Sequence, residues 1–344
     1  MKNRPHYLRL LLCFTALFVT IIDSKTAITS ASSGIEMCLR TIIPSLFPAM
    51  ILCDMLVQNI STVNLHMISA FETMCNLPTG SGGIFISGLL GGYPIGAKLI
   101  GQHYNNGNIC KNEAQILLKY CSNAGPAFIF GLCGPLFPNL GYPLALWLIH
   151  ISASLFIAKN TGRGSSEPKP PAKKQPYSIT QSIQNCTLTM AFICSWIIIF
   201  RVMIGFILKW FLWRLPEATH AFIIGSLELS NGIYLLKSTS EIGLKFIMCS
   251  FMLACGGTCI LLQTKQVIGA LSIKPYLAGK ATQTAISIAL SIIFVSLLKK
   301  SIPLNAVLLI LISLILLVIS LDNVKKYVAF SFKMIYNKTN RSAR

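Results

Sequence analysis

The sequence predicts an all-α integral membrane protein with about eight transmembrane helices and two re-entrant hairpins, arranged as inverted repeats. Hydrophobic residues make up 53% of the chain and charged residues 11%, whereas a soluble domain carries about 25% charged residues. Several apolar stretches approach or reach the length of about 17–25 residues that crosses a bilayer. A cluster of glycines interrupts one of them, and two parts of the chain carry matching segments. Together these observations predict the fold class.

The apolar stretches define the order of the expected elements. Membrane spans are expected near residues 10–22, 40–59, 113–133, 140–158, 187–209, 241–262, 282–298 and 304–321. The resulting organisation has an N-terminal membrane helix (1–33), a first repeat (34–158), a basic linker (159–177), a second repeat (178–300), a last membrane helix (301–322) and a basic tail (323–344). Residues 1–31 also resemble a secretory signal peptide, although an uncleaved first helix is the favoured interpretation.

The positive charges predict the orientation. The formal net charge is +19, but the basic residues lie at the chain ends and in the linker, so no folded basic face remains for nucleic acid. Basic clusters next to spans favour the cytoplasmic side. We therefore expect a multi-pass protein of the cell membrane whose N-terminus, linker and C-terminus are cytoplasmic and whose surroundings are lipid. The arrangement leaves four basic residues outside: Lys209, Arg214, Lys299 and Lys300.

The sequence offers little for catalysis or for metal binding. The 12 cysteines form no CxxC pair and most lie in apolar stretches, where they act as small packing residues. The five histidines are scattered, and no HExxH, GxSxG or paired-aspartate motif lies in a span. We therefore expect no catalytic residue, no metal site, no cofactor and no enzymatic activity.

Three landmarks recur in the same order in the two repeats. Residues 34–39 match 182–187 ahead of a span, 85–94 match 222–231 in a broken apolar segment, and 121–126 match 253–258 at small residues within a span. Each repeat crosses the membrane three times, so the second copy starts from the opposite side. Inverted repeats of this kind place a binding site near the middle of the membrane, between the copies.

The broken segments predict the binding site. Residues 79–100 contain seven glycines and Pro94 between residues 80 and 96, and interior glycines cost about 1 kcal/mol each in a helix. Together with residues 219–236 they are expected to form re-entrant hairpins that meet near mid-membrane and whose freed backbone groups need partners. The expected ligands are a small polar solute and a coupling ion. The predicted binding residues are Gly91, Gly92, Tyr93, Pro94, Ser122, Asn123, Gly125, Glu228, Ser230, Asn231, Gly256 and Gly257.

Several polar residues have two interpretations. Glu228 is the only carboxylate in a broken segment, and it either binds a ligand or ion or caps the hairpin. Ser122, Asn123, Ser230 and Asn231 either meet the solute or satisfy freed backbone groups. Asp54 and Arg201 stand near corresponding ends of the first span in each copy, and we expect both to reach toward the head groups.

The motifs GGYPIGAK at 91–98 and SNAGP at 122–126 resemble those of the YlbJ-type sporulation integral membrane proteins. The segments 225–232 and 256–263 agree with that family's later motifs. The resemblance implies the Gate, or nucleoside-recognition, domain shared with spore maturation proteins and concentrative nucleoside transporters. It also implies a role in spore formation.

Two functions follow for such a protein. The first is a transporter-like protein that binds a small polar solute between its repeats. The second is a non-transporting membrane scaffold for assembly of the spore envelope, its cortex or coat. A carrier needs polar groups from both repeats around one cavity, whereas a scaffold does not. Assembly as a homo-oligomer is compatible with both.

Overall fold

The computed structural model describes residues 4–62, 66–162 and 178–320. These residues form helices joined by short connections, and no β-strand occurs among them. The helices are α1 (Arg4–Ile22), α2 (Ser24–Met37), α3 (Ile43–Thr62), α4 (His66–Met74), α5 (Gly82–Gly91), α6 (Ile95–Asn105), α7 (Lys111–Leu117), α8 (Pro126–Phe128), α9 (Gly141–Thr161), α10 (Ile179–Ile207), α11 (Glu217–Leu227), α12 (Leu229–Leu235), α13 (Ile242–Cys255), α14 (Gly257–Val267), α15 (Lys274–Lys299) and α16 (Leu304–Ser320).

Five helical segments of the described chain are long and apolar enough to cross a membrane. They are Ser24–Val57, Gly141–Thr161, Ile179–Leu212, Ile242–Val267 and Lys274–Lys299. Shorter apolar helices occupy Arg9–Ile22, Gly82–Gly91, Pro126–Leu136 and Leu304–Ser320. The apolar side chains of α1 are exposed, Leu11 at 63% and Phe14 at 62%, as expected for a helix that contacts lipid. The all-α membrane class is therefore supported.

The first boundary expected from the sequence falls inside a helix. The helix α2 begins at Ser24, where the Asp23 side chain accepts a hydrogen bond from the Thr26 amide at 3.3 Å, and it runs across the expected boundary at 33/34. A π-helical turn at Cys38–Ile42 joins it to α3. Pro44 follows this turn, and a local widening accommodates a proline that cannot donate a backbone hydrogen bond. The helix is thus continuous where the sequence analysis separates two elements.

Two other expected segments receive little or no description. Only residues 159–162 of the predicted linker belong to the described chain, and the predicted tail at 323–344 lies outside it.

The span expected near 113–133 is interrupted. The helix α7 ends at Leu117, and the chain becomes helical again at Pro126, so the small-residue segment between them is an interruption of the helix.

The longest helical segments of the two predicted repeats lie side by side and run in opposite directions. Ser24–Val57 and Ile179–Leu212 each contain 34 residues. At one end of the pair Lys209 contacts Asp23, and at the other end Ser182 donates a hydrogen bond to Asp54. Between these ends the Cys38 thiol lies 3.8 Å from the carbonyl oxygen of Cys194. The start of each segment therefore packs against the end of the other.

The last long helices of the two predicted repeats are also antiparallel. The rings of Tyr142 and Phe294 lie 6.1 Å apart near one end of α9 and α15, and His150 contacts Gln283 farther along. In contrast, α16 runs parallel to α9: a β-carbon at Gly141, where α9 begins, would contact Leu304, where α16 begins, and Lys159 near the end of α9 donates to the Ile319 carbonyl near the end of α16 at 2.6 Å. The buried side chains of both predicted repeats form one contiguous hydrophobic core.

The two broken segments fold as pairs of short helices. In the first helix pair, α5 packs against α6, and in the second, α11 packs against α12. The glycines of the first pair allow an unusually close approach. A side chain at Gly88 or Gly96 would collide with the carbonyl oxygen of Cys121, which lies in the interruption that follows α7. Each predicted broken segment therefore consists of two helices. The two helices of the first segment pack against the interruption that follows α7.

Candidate functional site: a pocket between two interrupted helix pairs

A pocket in the described chain is lined by residues of both predicted repeats. Its cavity volume is about 30 Å³, and it is partly open to the surroundings. Four of the predicted binding residues line it: Tyr93, Gly125, Glu228 and Ser230. Its other walls are Ile42, Leu46, Ala124, Phe128, Ile193, Ile197, Leu229, Ile260 and Gln263. Apolar walls with a few polar groups are typical of ligand sites.

The first helix pair brings Tyr93 to the pocket. The helix α5 ends at Gly91 and α6 begins at Ile95, so the residues between them form a short connection that contains a cis Tyr93–Pro94 peptide bond. Gly92 has a φ of 86° and approaches Gly125 so closely that an added β-carbon would lie 3.0 Å from the Gly125 amide nitrogen. Gly91, Gly92 and Pro94 therefore shape the connection, whereas Tyr93 lines the pocket.

The second helix pair brings Glu228 to the same pocket. Glu228 separates α11 from α12, and its carboxylate accepts hydrogen bonds from the backbone amides of Ser230 at 3.0 Å and Asn231 at 2.8 Å. The side-chain amide of Asn231 donates a third bond at 2.6 Å. The residue is 2% exposed. Glu228 therefore caps α12 while it also lines the pocket, so the two interpretations of this residue are compatible.

Arg201 is connected to Glu228 through Asn231. The Arg201 guanidinium donates to the Asn231 side-chain oxygen at 2.5 Å and to the Ser33 hydroxyl at 3.1 Å. Asp54 is 3% exposed and accepts a hydrogen bond from Ser182. The expectation that Arg201 and Asp54 reach toward the head groups is therefore wrong. The Asp54 bond joins the two predicted repeats, whereas the Arg201 bonds join the second predicted repeat to Ser33 of the predicted N-terminal helix, because a charge removed from water needs polar partners.

The interruption after α7 places its polar residues behind the pocket wall. Asn123 is fully buried, donates to the Tyr120 carbonyl at 2.7 Å and to the Ser154 hydroxyl at 3.3 Å, and accepts from Gln283 at 2.9 Å. The Ser122 hydroxyl is buried and has no hydrogen-bond partner among the described residues. Of this predicted group, only Gly125 lines the pocket.

Gly256 and Gly257 form the interruption between α13 and α14. Both have positive φ, 77° and 74°, which a residue with a side chain rarely adopts. A β-carbon at Gly257 would lie 3.1 Å from the Gly225 carbonyl oxygen and 3.2 Å from that of Leu227, so this interruption packs on the end of α11. These glycines do not line the pocket, but their lack of a side chain lets α11 of the second helix pair approach this interruption.

A buried polar network links the two predicted repeats behind Tyr93. The Lys280 ammonium donates to the Tyr93 hydroxyl at 2.7 Å and to the Gln283 side-chain oxygen at 2.6 Å. The Gln283 amide nitrogen in turn lies 3.2 Å from His150 Nε2, which accepts from the Ala124 amide at 3.0 Å. The network thus reaches from the first helix pair to the interruption after α7.

Sequence reasoning missed Lys280, Gln283 and His150. A signal was available in α15, whose buried polar residues recur at helical spacing: Lys280, Gln283, Ser287 and Ser291. Such a polar stripe in an apolar helix predicts a face directed to the protein interior. Among the described residues no group of histidine, cysteine and acidic side chains could hold a metal ion.

The comparisons with known proteins give one distant similarity. The chain is 29% identical over 121 residues to the "Sporulation integral membrane protein YlbJ" of Bacillus subtilis (strain 168). The aligned part covers 34% of this chain and 30% of that relative, so the chain spans under a third of the relative's length. No family model matches the chain, and no solved structure matches it.

Proposed function

We propose that this protein is a transporter-like membrane protein that binds a small polar solute in the pocket between its two repeats and acts in spore formation. One observation supports the proposal: residues at the interruption of each helix pair line the same pocket. Tyr93 and Glu228 enter it from opposite repeats. In carriers built from inverted repeats, interrupted helices supply the polar groups of the site in this way.

The directions of the helices support inverted repeats with eight crossings and two re-entrant hairpins. The first long segments of the two repeats are antiparallel, and so are the last ones, as expected if the second copy is upside down. The resulting topology places Lys209 and Lys299 outside. Lys209 pairs with Asp23 at 2.5 Å and Lys299 with Glu241 at 3.5 Å. Because an acidic partner offsets each charge, these two lysines count less against the rule that basic residues favour the cytoplasmic side.

The role in spore formation rests on similarity. The relative is named a sporulation integral membrane protein, and the motifs at 91–98 and 122–126 resemble that family. The Gate-type fold and its link to nucleoside carriers are an analogy at the level of the fold, so the proposal leaves the solute unnamed. We propose binding and movement of a solute without enzymatic chemistry.

A membrane scaffold is the second candidate, and one observation favours it. The side chains of Glu228 and Asn123, two of the polar groups expected to meet a ligand, already bind partners inside the protein. A scaffold would use such bonds only to hold its interrupted helices in place. The pocket at Tyr93 and Glu228 then has no ligand.

A substitution that fills the pocket distinguishes the two functions. Ile197 lines the pocket and is 4% exposed, whereas Ile199 on the same helix is 60% exposed. We expect Ile197→Phe to abolish stabilisation of the purified protein by any nucleoside, ion or small acid that stabilises the wild type, and to reduce spore heat resistance. Ile199→Phe is the matched control and should leave both unchanged.

Thermal unfolding of each variant in detergent shows whether it is folded. Spore heat resistance is measured in a spore-forming host that lacks its own copy of the gene. If Ile197→Phe is folded and makes fully resistant spores, the pocket is not needed, and the scaffold is the better explanation.

A further inference from the structure

Lys280 lies in the interior of α15, where a positive charge is expensive. It is 5% exposed, and charged side chains inside membrane helices normally pair with a partner of opposite charge. Among the described residues, however, no carboxylate lies within ion-pair distance of Lys280. Its ammonium group contacts two neutral oxygens and lies 4.6 Å from the centre of the Tyr93 ring and 5.8 Å from that of Tyr276. The negative faces of these rings attract a cation.

Two chains of hydrogen bonds lead from Lys280 to main-chain carbonyl groups. In the first, Lys280 donates to the Tyr93 hydroxyl, which donates to the Leu253 carbonyl at 2.9 Å. An ammonium group has three donors and no acceptor. The Tyr93 hydroxyl therefore accepts from Lys280 and uses its own proton to donate to Leu253. Leu253 lies in the last turn of α13, next to the Gly256 interruption.

The second chain of hydrogen bonds leads to the other repeat. Lys280 donates to Gln283, which donates to Asn123, which donates to the Tyr120 carbonyl at 2.7 Å. Tyr120 lies just after the end of α7. Carbonyl groups at helix ends lack partners from their own helix and carry partial negative charge. A single ammonium group is therefore connected to the carbonyl ends of both interrupted segments.

We propose that the ammonium group of Lys280 occupies a monovalent-cation site, formed where the two interrupted segments approach each other, and that the protein thereby supplies its own cation at this place. In carriers with inverted repeats, carbonyl groups of unwound helices and helix C-terminal ends bind a dissolved Na⁺ or proton. Here a tethered ammonium group reaches the Leu253 and Tyr120 carbonyls through neutral side chains, the first through Tyr93 and the second through Gln283 and Asn123. The proposal holds for a carrier and for a scaffold alike, and it predicts that no dissolved Na⁺ or K⁺ is required at this site.

The test compares thermal unfolding of the purified protein in NaCl, KCl, methylammonium chloride and choline chloride at equal ionic strength. The wild type should unfold at the same temperature in all four salts. Lys280→Ala removes the ammonium group and leaves space, so it should unfold several degrees lower in choline chloride. Methylammonium, Na⁺ or K⁺ should recover a large part of that loss, whereas choline is too large to enter.

Three variants serve as controls. Lys274→Ala removes an exposed lysine at the start of the same helix and should show neither the loss nor the recovery. Lys280→Arg keeps the charge and should stay closer to the wild type than Lys280→Met. Lys280→Met fills the space without charge, so it should unfold well below the wild type in every salt.

Several outcomes overturn the proposal. It is wrong if Na⁺ or K⁺ stabilises the wild type above its value in choline chloride, or if no cation recovers folded Lys280→Ala. If Lys280→Ala does not fold, Lys280→Met decides the question: a Met variant as stable as the wild type shows that these carbonyl groups need no cation.

Discussion

The carboxylate of Glu228 uses both of its oxygen atoms to accept hydrogen bonds from Ser230 and Asn231. A glutamine at this position keeps one oxygen and replaces the other with a donor, so one buried amide of α12 loses its acceptor. We therefore expect Glu228→Gln to lower the free energy of unfolding by about 1–3 kcal/mol. Thermal unfolding of the purified variant measures this effect.

Glu217→Gln is the matched control for this substitution. Glu217 lies at the start of α11 and is exposed, and surface substitutions usually stay within about 0.5 kcal/mol. Equal unfolding of Glu228→Gln and the wild type would show that capping is dispensable. Any effect of the substitution on function would then come from the pocket.

Ser122 offers a test that separates binding from folding. Its hydroxyl group is buried without a partner among the described residues, and the removal of such a group costs little. Ser122→Ala should change the free energy of unfolding by less than about 0.5 kcal/mol. Because Ser122 does not line the pocket, a fall in stabilisation by the solute with normal folding would show that the solute reaches behind the pocket wall.

Ser154→Ala provides the contrast to Ser122→Ala. The Ser154 hydroxyl donates to the Tyr120 carbonyl at 2.8 Å, so its removal should destabilise the protein by about 1 kcal/mol. Thermal unfolding of both alanine variants in one buffer makes the comparison. A larger loss for Ser122→Ala than for Ser154→Ala would contradict the assignment of these two hydroxyl groups.

At the scale of elements, the first helix pair depends on the absence of side chains at its contact with the interruption after α7. A methyl group at Gly96 would collide with the Cys121 carbonyl oxygen, which belongs to the main chain and cannot turn away. We expect Gly96→Ala to destabilise the protein by about 1–3 kcal/mol or more and to reduce the yield of folded protein. Size-exclusion chromatography in detergent measures that yield.

Gly131→Ala tests whether any added methyl group has this effect. Gly131 also lies in an apolar helical segment, but nothing lies within 4 Å of an added β-carbon there. The variant should therefore be folded and as stable as the wild type. If Gly96→Ala behaves in the same way, the close packing of α6 on this interruption is not required.

The interruptions could be predicted from the sequence because their causes are local. The glycines and Pro94 oppose a continuous helix wherever they stand, and Glu228 followed by Ser230 and Asn231 is suited to begin a new helix. The continuity of α2 with α3 was missed, since the small residues ahead of the π-helical turn were assigned to a separate segment. The local pattern there does not forbid a helix.

The polar network was missed for a different reason. Lys280 and Tyr93 are 187 residues apart, and no local pattern connects them. Asp54 and Arg201 show the same limit, because each bonds a serine that is more than 100 residues away in the sequence. A charge inside an apolar stretch signals that a partner exists, but only the packing of helices identifies it.

At the scale of the whole molecule, the antiparallel segments Ser24–Val57 and Ile179–Leu212 are held together by polar bonds toward both ends. Ser182 binds Asp54 at one end, and Ser33 binds Arg201 toward the other. Between them lie the pocket and the network around Lys280. If the predicted repeats move against each other, the Ser182–Asp54 bond and the bonds of Lys280 and Gln283 to the first repeat must change.

The topology gives the last prediction. If the repeats are inverted, residue 178, just before α10, faces the cytoplasm, and residue 240, just before α13, faces outside. Both are exposed serines. In intact cells a membrane-impermeant maleimide should therefore label Ser240→Cys and should label Ser178→Cys only after the cells are opened. The parent protein with its native cysteines, most of them buried, sets the background, and a permeable maleimide shows that both sites react. Labelling of both Ser178→Cys and Ser240→Cys from outside would mean that the chain between them does not cross the membrane an odd number of times. The antiparallel helices would then have to be oriented in another way, and the placement of the solute pocket between inverted repeats would no longer be supported.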